Sequence, residues 1–423
     1  MDIGIVSLIA LFLAIAVGFK LNINTGIVAI LFAFVLGFFI PDPNSSTGMY
    51  MLSDPAAGAV TLISGWSTSL FFMVMGMTLL FSIAKLNKTL EVVSQRLIAL
   101  AAGKTKLLPI LFFILSVILA GIGPGNIAVC ALILPIGLEV AREEKINPLL
   151  MATMIISGSN AGGLSPIAPT GLIGISLAEQ VGVPDSGMHT FIEMIKAQAI
   201  FAIFMYIILG GWKLKNQSSD KKKEKKKLNL AQIETLIVIF LVVFSLIAFS
   251  TDVGFTGFLG AVVLLLLGAA DEKKALEGIP WSTLIMICGV GVLVNVVSIS
   301  GGINTLSDAL ASIMTGTTAG ALMTVMGGLL SLVSSASGVA MPTLIATIPG
   351  MVEQLPVDPS VLITGVILGA HVVTTSPMST LGGLAMASSN DAIDRNKFFV
   401  QLLCVGIGGL VFGALLILIG IVG

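Results

Sequence analysis

Apolar residues in this chain come in runs of about the length that crosses a bilayer, roughly 20 residues, and short polar breaks separate the runs. Ile3–Phe19, Gly26–Ile40, Ser67–Ala84, Thr190–Trp212, Ala231–Phe249 and Phe398–Val422 are examples. The pattern predicts a polytopic, all-α membrane protein. Two apolar stretches, 107–141 and 317–354, must enter and leave on one side, so each is expected to form a re-entrant helical hairpin. The remaining runs give ten full crossings with both termini outside. Two further stretches break the apolar pattern from within: ISGSNAGGLSPIAPTG (Ile156–Gly171) and LGAHVVTTSPMSTLGG (Leu368–Gly383). Backbone this irregular cannot face lipid, where no water satisfies its N–H and C=O groups, so it must line a protein-enclosed site.

Charge orients the array. Of the 21 Lys and Arg residues, 20 fall in loops on one face and only Lys196 lies near the other. The positive-inside rule makes the basic face cytoplasmic, including the linker KLKNQSSDKKKEKKKLNL (213–230) that divides the chain nearly in half. Composition agrees: 56% of the 423 residues are hydrophobic and 10% charged, against about 25% charged in soluble domains. The first run lacks a basic n-region and a small-residue cleavage site, so it is expected to be a retained span. Cys130, Cys288 and Cys404 stand alone in apolar segments, which argues for packing rather than for a disulfide or metal site.

The halves repeat. Thr25-Gly26 with Gly37 is matched by Thr256-Gly257 with Gly268, and Trp66-Ser-Thr with Gly76 by Trp281-Ser-Thr with Gly291. Asn147-Pro148, Gly158, Ser165-Pro166 and Gly171 are matched at identical spacing by Asp358-Pro359, Gly369, Ser376-Pro377 and Gly382. Each half then holds five crossings and a hairpin; five is odd, so the second half is expected to lie inverted. Expected boundaries are 1–212 (scaffold spans 1–106, hairpin and broken helix 107–212), the linker 213–230, and 231–423 (scaffold spans 231–316, hairpin and broken helix 317–423). Inverted repeats with broken helices at the midplane typify secondary transporters.

Ser before Pro is a good helix start, so Ser165-Pro166 and Ser376-Pro377 are expected to cap two half-helices aimed at the membrane centre. The hairpin turns, Gly121–Asn126 and Ser334–Gly338, add two more N-termini. Four such ends, each about half a positive charge, suit a substrate with one or two carboxylates. Asn126, Ser159, Asn160, Ser165, Thr170, Ser334, Ser335, Ser337, Thr374, Thr375 and Ser376 are the candidate substrate-orienting groups. Carbonyls and side chains at Gly125, Asn126, Gly162, Ser335 and Val372 are candidates for a small cation such as Na⁺. His371 is the one titratable side chain in either break and occupies the position matching Asn160. Proton coupling or substrate contact, or a neutral ring bonded to a freed carbonyl, are its alternatives. No paired base, metal-spaced cluster or phosphate loop is present, so neither an enzyme nor a nucleic-acid binder is expected, and no cofactor.

The segments AGIGPGNIAVCALILPIGL and SGSNAGGLSPIAPTGLI resemble the malonate/dicarboxylate carrier (MatC) type of the ion transporter superfamily, related to the divalent anion:sodium symporters. The likeness is strongest over residues 20–200. The resemblance implies a homodimer working by an elevator motion, a still scaffold beside a moving unit of hairpins and broken helices. In the sodium symporters each hairpin tip carries Ser-Asn-Thr for carboxylate and Na⁺; here the tips read Gly125-Asn126-Ile127 and Ser334-Ser335-Ala336, with Ser-Pro at both breaks. The expectation is symport of a small dicarboxylate such as malonate, malate or succinate, with Na⁺ favoured over H⁺, in a bacterial cytoplasmic membrane. The alternatives are carriage of a monocarboxylate or other organic anion, and a cation/proton antiporter. The antiporter would want an acidic residue at the breaks, and none lies there. Dead-end hairpins argue against a channel.

Overall fold

The computed structural model describes residues 2–40, 49, 55–93, 104–184, 186–214, 228–249, 251–332, 334–389 and 393–423. The expected outer loop 41–54 and the basic centre of the linker, 215–227, lie outside the described residues, apart from Met49. Among the described residues every extended element is a helix. Seven are long and apolar enough to cross a membrane and six shorter ones are apolar as well, which makes the chain an integral membrane protein.

The first half contains α1 (Ile3–Leu21), α2 (Thr25–Leu36), α3 (Pro55–Ile63), α4 (Thr68–Leu86), α5 (Leu108–Gly121), α6 (Gly125–Glu143), α7 (Pro148–Gly163), α8 (Pro169–Gln180) and α9 (Ser186–Ile208). The second contains α10 (Leu230–Phe249), α11 (Val253–Leu266), α12 (Glu272–Glu277), α13 (Trp281–Ile299), α14 (Gly302–Ser312) and α15 (Ala319–Leu332). A π-helical turn (Ala336–Ala340), α16 (Met341–Ile345), α17 (Ile348–Val352), α18 (Pro359–Val372), α19 (Thr380–Ala387) and α20 (Arg395–Leu418) follow. The two orders run in step: α5/α6 and α15–α17 are the hairpins, while α7/α8 and α18/α19 are the broken helices.

Local chemistry explains the matched starts. Asn147 and Asp358 are N-caps whose side-chain oxygens accept from Leu149 N (2.9 Å) and Ser360 N (2.8 Å), each followed by a proline at the first helical position. There the proline loses no hydrogen bond, because that N–H is unpaired in any helix.

Packing crosses the halves in an exchanged pattern. Helix α2 lies on α13, and α11 lies on α4. Both crossings are made by glycine, as expected where helix association depends on close backbone approach rather than on the hydrophobic effect. A Cβ on Gly257 would sit 2.7 Å from the Gly76 carbonyl carbon, and one on Gly289 would sit 2.7 Å from Gly26 Cα. Polar staples reinforce this layer: Asn295 Nδ2 donates to Thr61 O (3.0 Å) and Ser64 Oγ (3.1 Å), and Asn24 Nδ2 to Ser282 O (2.7 Å). Asn295 thereby adds a donor from the second half to a last-turn carbonyl of α3 that Ser64 Oγ also caps (2.7 Å). Asn295→Ala is expected to destabilise the detergent-purified protein by about 1–2 kcal/mol, read as a lowered thermal midpoint, with Asn295→Asp worse because it sets an acceptor against carbonyls.

A second body forms from the hairpins and broken helices. Helix α5 packs along α7 and α15 along α18, and α9 covers α7. Here too the halves exchange partners: α8 rests on α16, the returning arm of the second hairpin, and α19 rests on α6, the returning arm of the first. One apolar core of α5, α6, α7, α9, α19 and α20 is built around Phe112, Ile133, Leu134 and Phe398, all essentially inaccessible. The polar ends of both broken helices, through Ser165 and through Ser376, are therefore held inside protein, while Met378 and Thr380 just beyond Ser376 are exposed.

Candidate functional site

Helix α7 stops at Gly163, and the chain turns through Ser165-Pro166-Ile167-Ala168 before α8 begins at Pro169. Helix α18 passes through a 3₁₀ turn, Val373–Thr375, and then Ser376-Pro377-Met378-Ser379 before α19 begins at Thr380. The half-helices thus restart three residues later than the Ser-Pro steps suggested. This corrects the expected roles of Ser165, Pro166, Ser376 and Pro377. Each serine carbonyl closes a β-turn, accepting from Ala168 N (2.9 Å) and Ser379 N (3.0 Å). Each hydroxyl accepts from the residue two on, Ile167 N (3.5 Å) and Met378 N (3.3 Å). Proline, with φ fixed near −65°, serves the second position of such a turn as readily as the start of a helix, and here the turn wins.

Both turns fold back on the half-helix they precede. A Cβ on Gly171 would meet Ser165 O, and 2.7 Å away Leu164 O; one on Gly382 would meet Ser376 O, and 2.5 Å away Thr375 O. The matched glycines exist because a side chain there would occupy the turn's own carbonyls.

A buried chain of hydrogen bonds joins the breaks. Ile127 N donates to Asn126 Oδ1 (2.9 Å), Asn126 Nδ2 donates to Asn160 Oδ1 (3.0 Å), and Asn160 Nδ2 reaches His371 O and Thr374 Oγ1 (both 2.9 Å). Thr374 Oγ1 also donates to His371 O at 2.6 Å, and Thr170 Oγ1 makes a longer bond to Asn126 Oδ1, 3.4 Å. Asn126, Asn160, Thr170, His371 and Thr374 are all buried. The first hairpin tip, the first break and the second break therefore meet at one polar junction, and five of the sequence candidates belong to it. Gly125 adopts φ +77°, and a Cβ there would lie 3.1 Å from Pro169, so the start of α6 abuts the start of α8. Gly163 went unnoticed in the sequence; a Cβ there would lie 3.0 Å from Asn126 Cβ. The adjacent glycine pair 162–163 was its only signal.

The other candidates lie differently. Ser159 is fully buried on α7 with its hydroxyl beside the Cys130 thiol, a weak partner, and with no nitrogen or oxygen partner. Ser334, just past the end of α15, donates from Oγ to Leu330 O in that helix's last turn (2.6 Å), and Ser335 Oγ caps the π turn by accepting from Gly338 N (3.1 Å). Ser337 is half-buried on that turn. This second tip leans on the scaffold, where a Cβ on Gly338 would lie 2.9 Å from Met286 Sδ. Among the described residues, no hydrogen bond joins these three serines to the junction. Among the cation candidates, the Gly162 carbonyl accepts from Ser165 N (2.9 Å), and the Val372 carbonyl opens the 3₁₀ turn and also takes a long contact from Thr375 Oγ1 (3.5 Å). The His371 ring is buried with Nδ1 2.8 Å from Ile367 O, an acceptor only, so Nδ1 carries the proton of that bond. Ser331 Oγ donates to Ala370 O (2.8 Å) and ties the second hairpin to α18. A cavity of about 400 Å³ lies well away, lined by Ala141, Arg142, Lys145, Asn147, Pro148 and Ile393 among others. It sits where α6 passes into α7, at the loop assigned to the cytoplasm.

The family model described as citrate transporter, CitMHS, matches residues 9–369, most of the chain and every residue from α2 to the start of the second break. The chain belongs to the citrate transporter family. A search of curated proteins gives no match. Two solved structures share the fold of this CitMHS member. The YdaH transporter of Alcanivorax borkumensis is 11% identical, with 94% of this chain and 96% of that one covered and a TM-score of 0.61. MtrF of Neisseria gonorrhoeae, of a class of antimetabolite efflux pumps, is 15% identical, with 94% and 95% covered and a TM-score of 0.59. The family and these neighbours are membrane transporters, not enzymes.

Proposed function

We propose that this CitMHS member is a cation-coupled symporter of a small carboxylate, a dicarboxylate such as malonate, malate or succinate, or the citrate of the family's description. The observation that carries the reading is the junction of Asn126, Asn160, Thr170 and Thr374, where both breaks and the first hairpin tip converge with neutral donors and no acidic side chain. An anion held there meets amide N–H groups, a hydroxyl and the starts of α6 and α8, whose unpaired N–H groups carry partial positive charge. Gly125, Asn126, Gly162, Ser335 and Val372 supply the candidate oxygens for Na⁺, the favoured coupling ion over H⁺.

The two halves form inverted repeats, and a homodimer works by an elevator motion in which hairpins and broken helices slide past the α1–α4 and α10–α14 scaffold. The matched element order and the exchanged packing of α2 on α13 and α11 on α4 support this reading. Both termini lie outside, with the linker 213–230 in the cytoplasm. Uptake of labelled malonate, malate, succinate, citrate and a monocarboxylate into proteoliposomes, with Na⁺ and pH gradients imposed separately, tests it. Uptake of a di- or tricarboxylate driven by inward Na⁺ is expected. Indifference to every carboxylate would overturn the substrate class, and uptake driven by pH alone would overturn Na⁺.

A further inference from the structure

Asn160 is 1% exposed, and its amide touches three groups from two other segments. The direction of each bond is fixed from both ends. Ile127 N is a backbone donor, so the atom of Asn126 facing it must be Oδ1. Nδ2 of Asn126 then faces Asn160, whose facing atom must accept and is Oδ1. That leaves Nδ2 of Asn160 turned to the His371 carbonyl, which can only accept. A backbone N–H at one end and a backbone C=O at the other thus settle two amide orientations that are otherwise assignable either way.

The distances say how many donors remain. Asn160 Nδ2 lies 2.9 Å from both His371 O and Thr374 Oγ1, which are 2.6 Å apart. These close a triangle with an angle of about 50° at Nδ2, under half the roughly 120° between the two N–H bonds of an amide. One N–H therefore serves both oxygens. Asn126 likewise uses one N–H, toward Asn160. Among the described residues, the hydrogen-bonded route from the first hairpin tip to the second half of the chain runs through Asn160 alone.

We propose that Asn160 is a positioning residue: it bolts the first hairpin tip to the second break and holds the Asn126 amide with its nitrogen, not its oxygen, available to the anion. This rests on the carboxylate reading of the same junction. A freely flipping Asn126 would present Oδ1, an acceptor that repels a carboxylate, in part of its population. Ile127 N opposes that state by donating to Oδ1, and Asn160 opposes it from the other side by accepting from Nδ2, so the two together hold the orientation. Asn160 acts on substrate through Asn126 and is not itself the ligand.

Two double-mutant cycles test this. In proteoliposomes, Asn160→Ala is expected to raise KM for the transported carboxylate about tenfold while the maximal rate per folded carrier stays within about twofold. In an Asn126→Ala background, the same substitution should lower uptake at low substrate less than about twofold further. A further tenfold loss there would make Asn160 a ligand in its own right. An unchanged KM with reduced yield would make it merely structural. Either result overturns the proposal. Independently of transport, Asn160→Ala and Thr374→Val should each lower the thermal midpoint in detergent, and the double variant no more than the worse single one. Fully additive shifts would overturn the bolt. If the wild-type protein carries no carboxylate, the first cycle fails with the functional reading, while the second still decides whether the bolt exists.

Discussion

Replacing Asn126 by alanine is expected to lower carboxylate uptake at low substrate by about two orders of magnitude, with the amount of folded carrier preserved. The side chain is neutral and sits at a hairpin tip, so its removal opens no large apolar cavity. What it removes is functional: the one side-chain amide that touches the first break, the start of α8 through Thr170, and, through Asn160, the second break. A hydrogen bond to a charged partner is worth about 1.5–3 kcal/mol, or one to two decades in affinity, and the loss of orientation at Thr170 adds to it. Asn126→Asp should be worse than alanine, because a carboxylate at the tip repels the substrate and faces the Asn160 carbonyl oxygen with an acceptor. Initial rates of labelled uptake, normalised to carrier in the vesicles, check both. Near-normal rates for Asn126→Ala would move the anion away from the junction.

The second large effect is expected at the matched glycines. Glycine to alanine inside a helix ordinarily stabilises by about 0.5–1 kcal/mol. At Gly171 and Gly382 the sign reverses, because the new methyl would meet Ser165 O or Ser376 O, backbone atoms that cannot swing aside. Relief requires opening the turn or shifting the half-helix, at about 1–3 kcal/mol each, and either change displaces Thr170 or Thr374 from the junction. Gly408 is the internal control: it lies in α20, and a Cβ there meets nothing within 4 Å. Thermal midpoints and uptake of the three alanine variants should separate cleanly. Gly171→Ala and Gly382→Ala are expected to lose both stability and transport, and Gly408→Ala to keep both. Equal behaviour of all three would refute the turn geometry.

These glycines also mark what the sequence could and could not reveal. The spacing from Asn147-Pro148 to Gly171, repeated from Asp358-Pro359 to Gly382, is legible because caps and close backbone contacts demand particular residue types. The all-helical class was legible in the length of the apolar runs, and the interruption of α7/α8 and α18/α19 in the polar, glycine-rich stretches. The restart of the half-helices was not, since a Ser-Pro step suits a turn and a helix start equally. Only Pro169, three residues on, hinted at the later start, and the second half has Thr380 in its place. The serines of the second hairpin tip looked free in the sequence. Ser334 instead turns back onto the Leu330 carbonyl in the last turn of α15, which it follows, as serine hydroxyls readily do with nearby backbone. Asn160 and His371 look like counterparts when the halves are aligned. In three dimensions they touch, because the breaks face each other and correspondence in a repeat carries no information about which counterparts meet. Asn160 therefore bonds to the backbone of its own counterpart, a contact that no spacing announces.

Where the anion sits decides the transport chemistry. Density for a bound dicarboxylate or citrate, from the purified carrier in lipid with the substrate and Na⁺ present, measures that directly. The expected result is a carboxylate group within hydrogen-bonding distance of Asn126 Nδ2, between the starts of α6 and α8, with Asn160 still bonded to His371 O. Density instead in the cavity beside Arg142 and Lys145, with the junction unchanged, would contradict it.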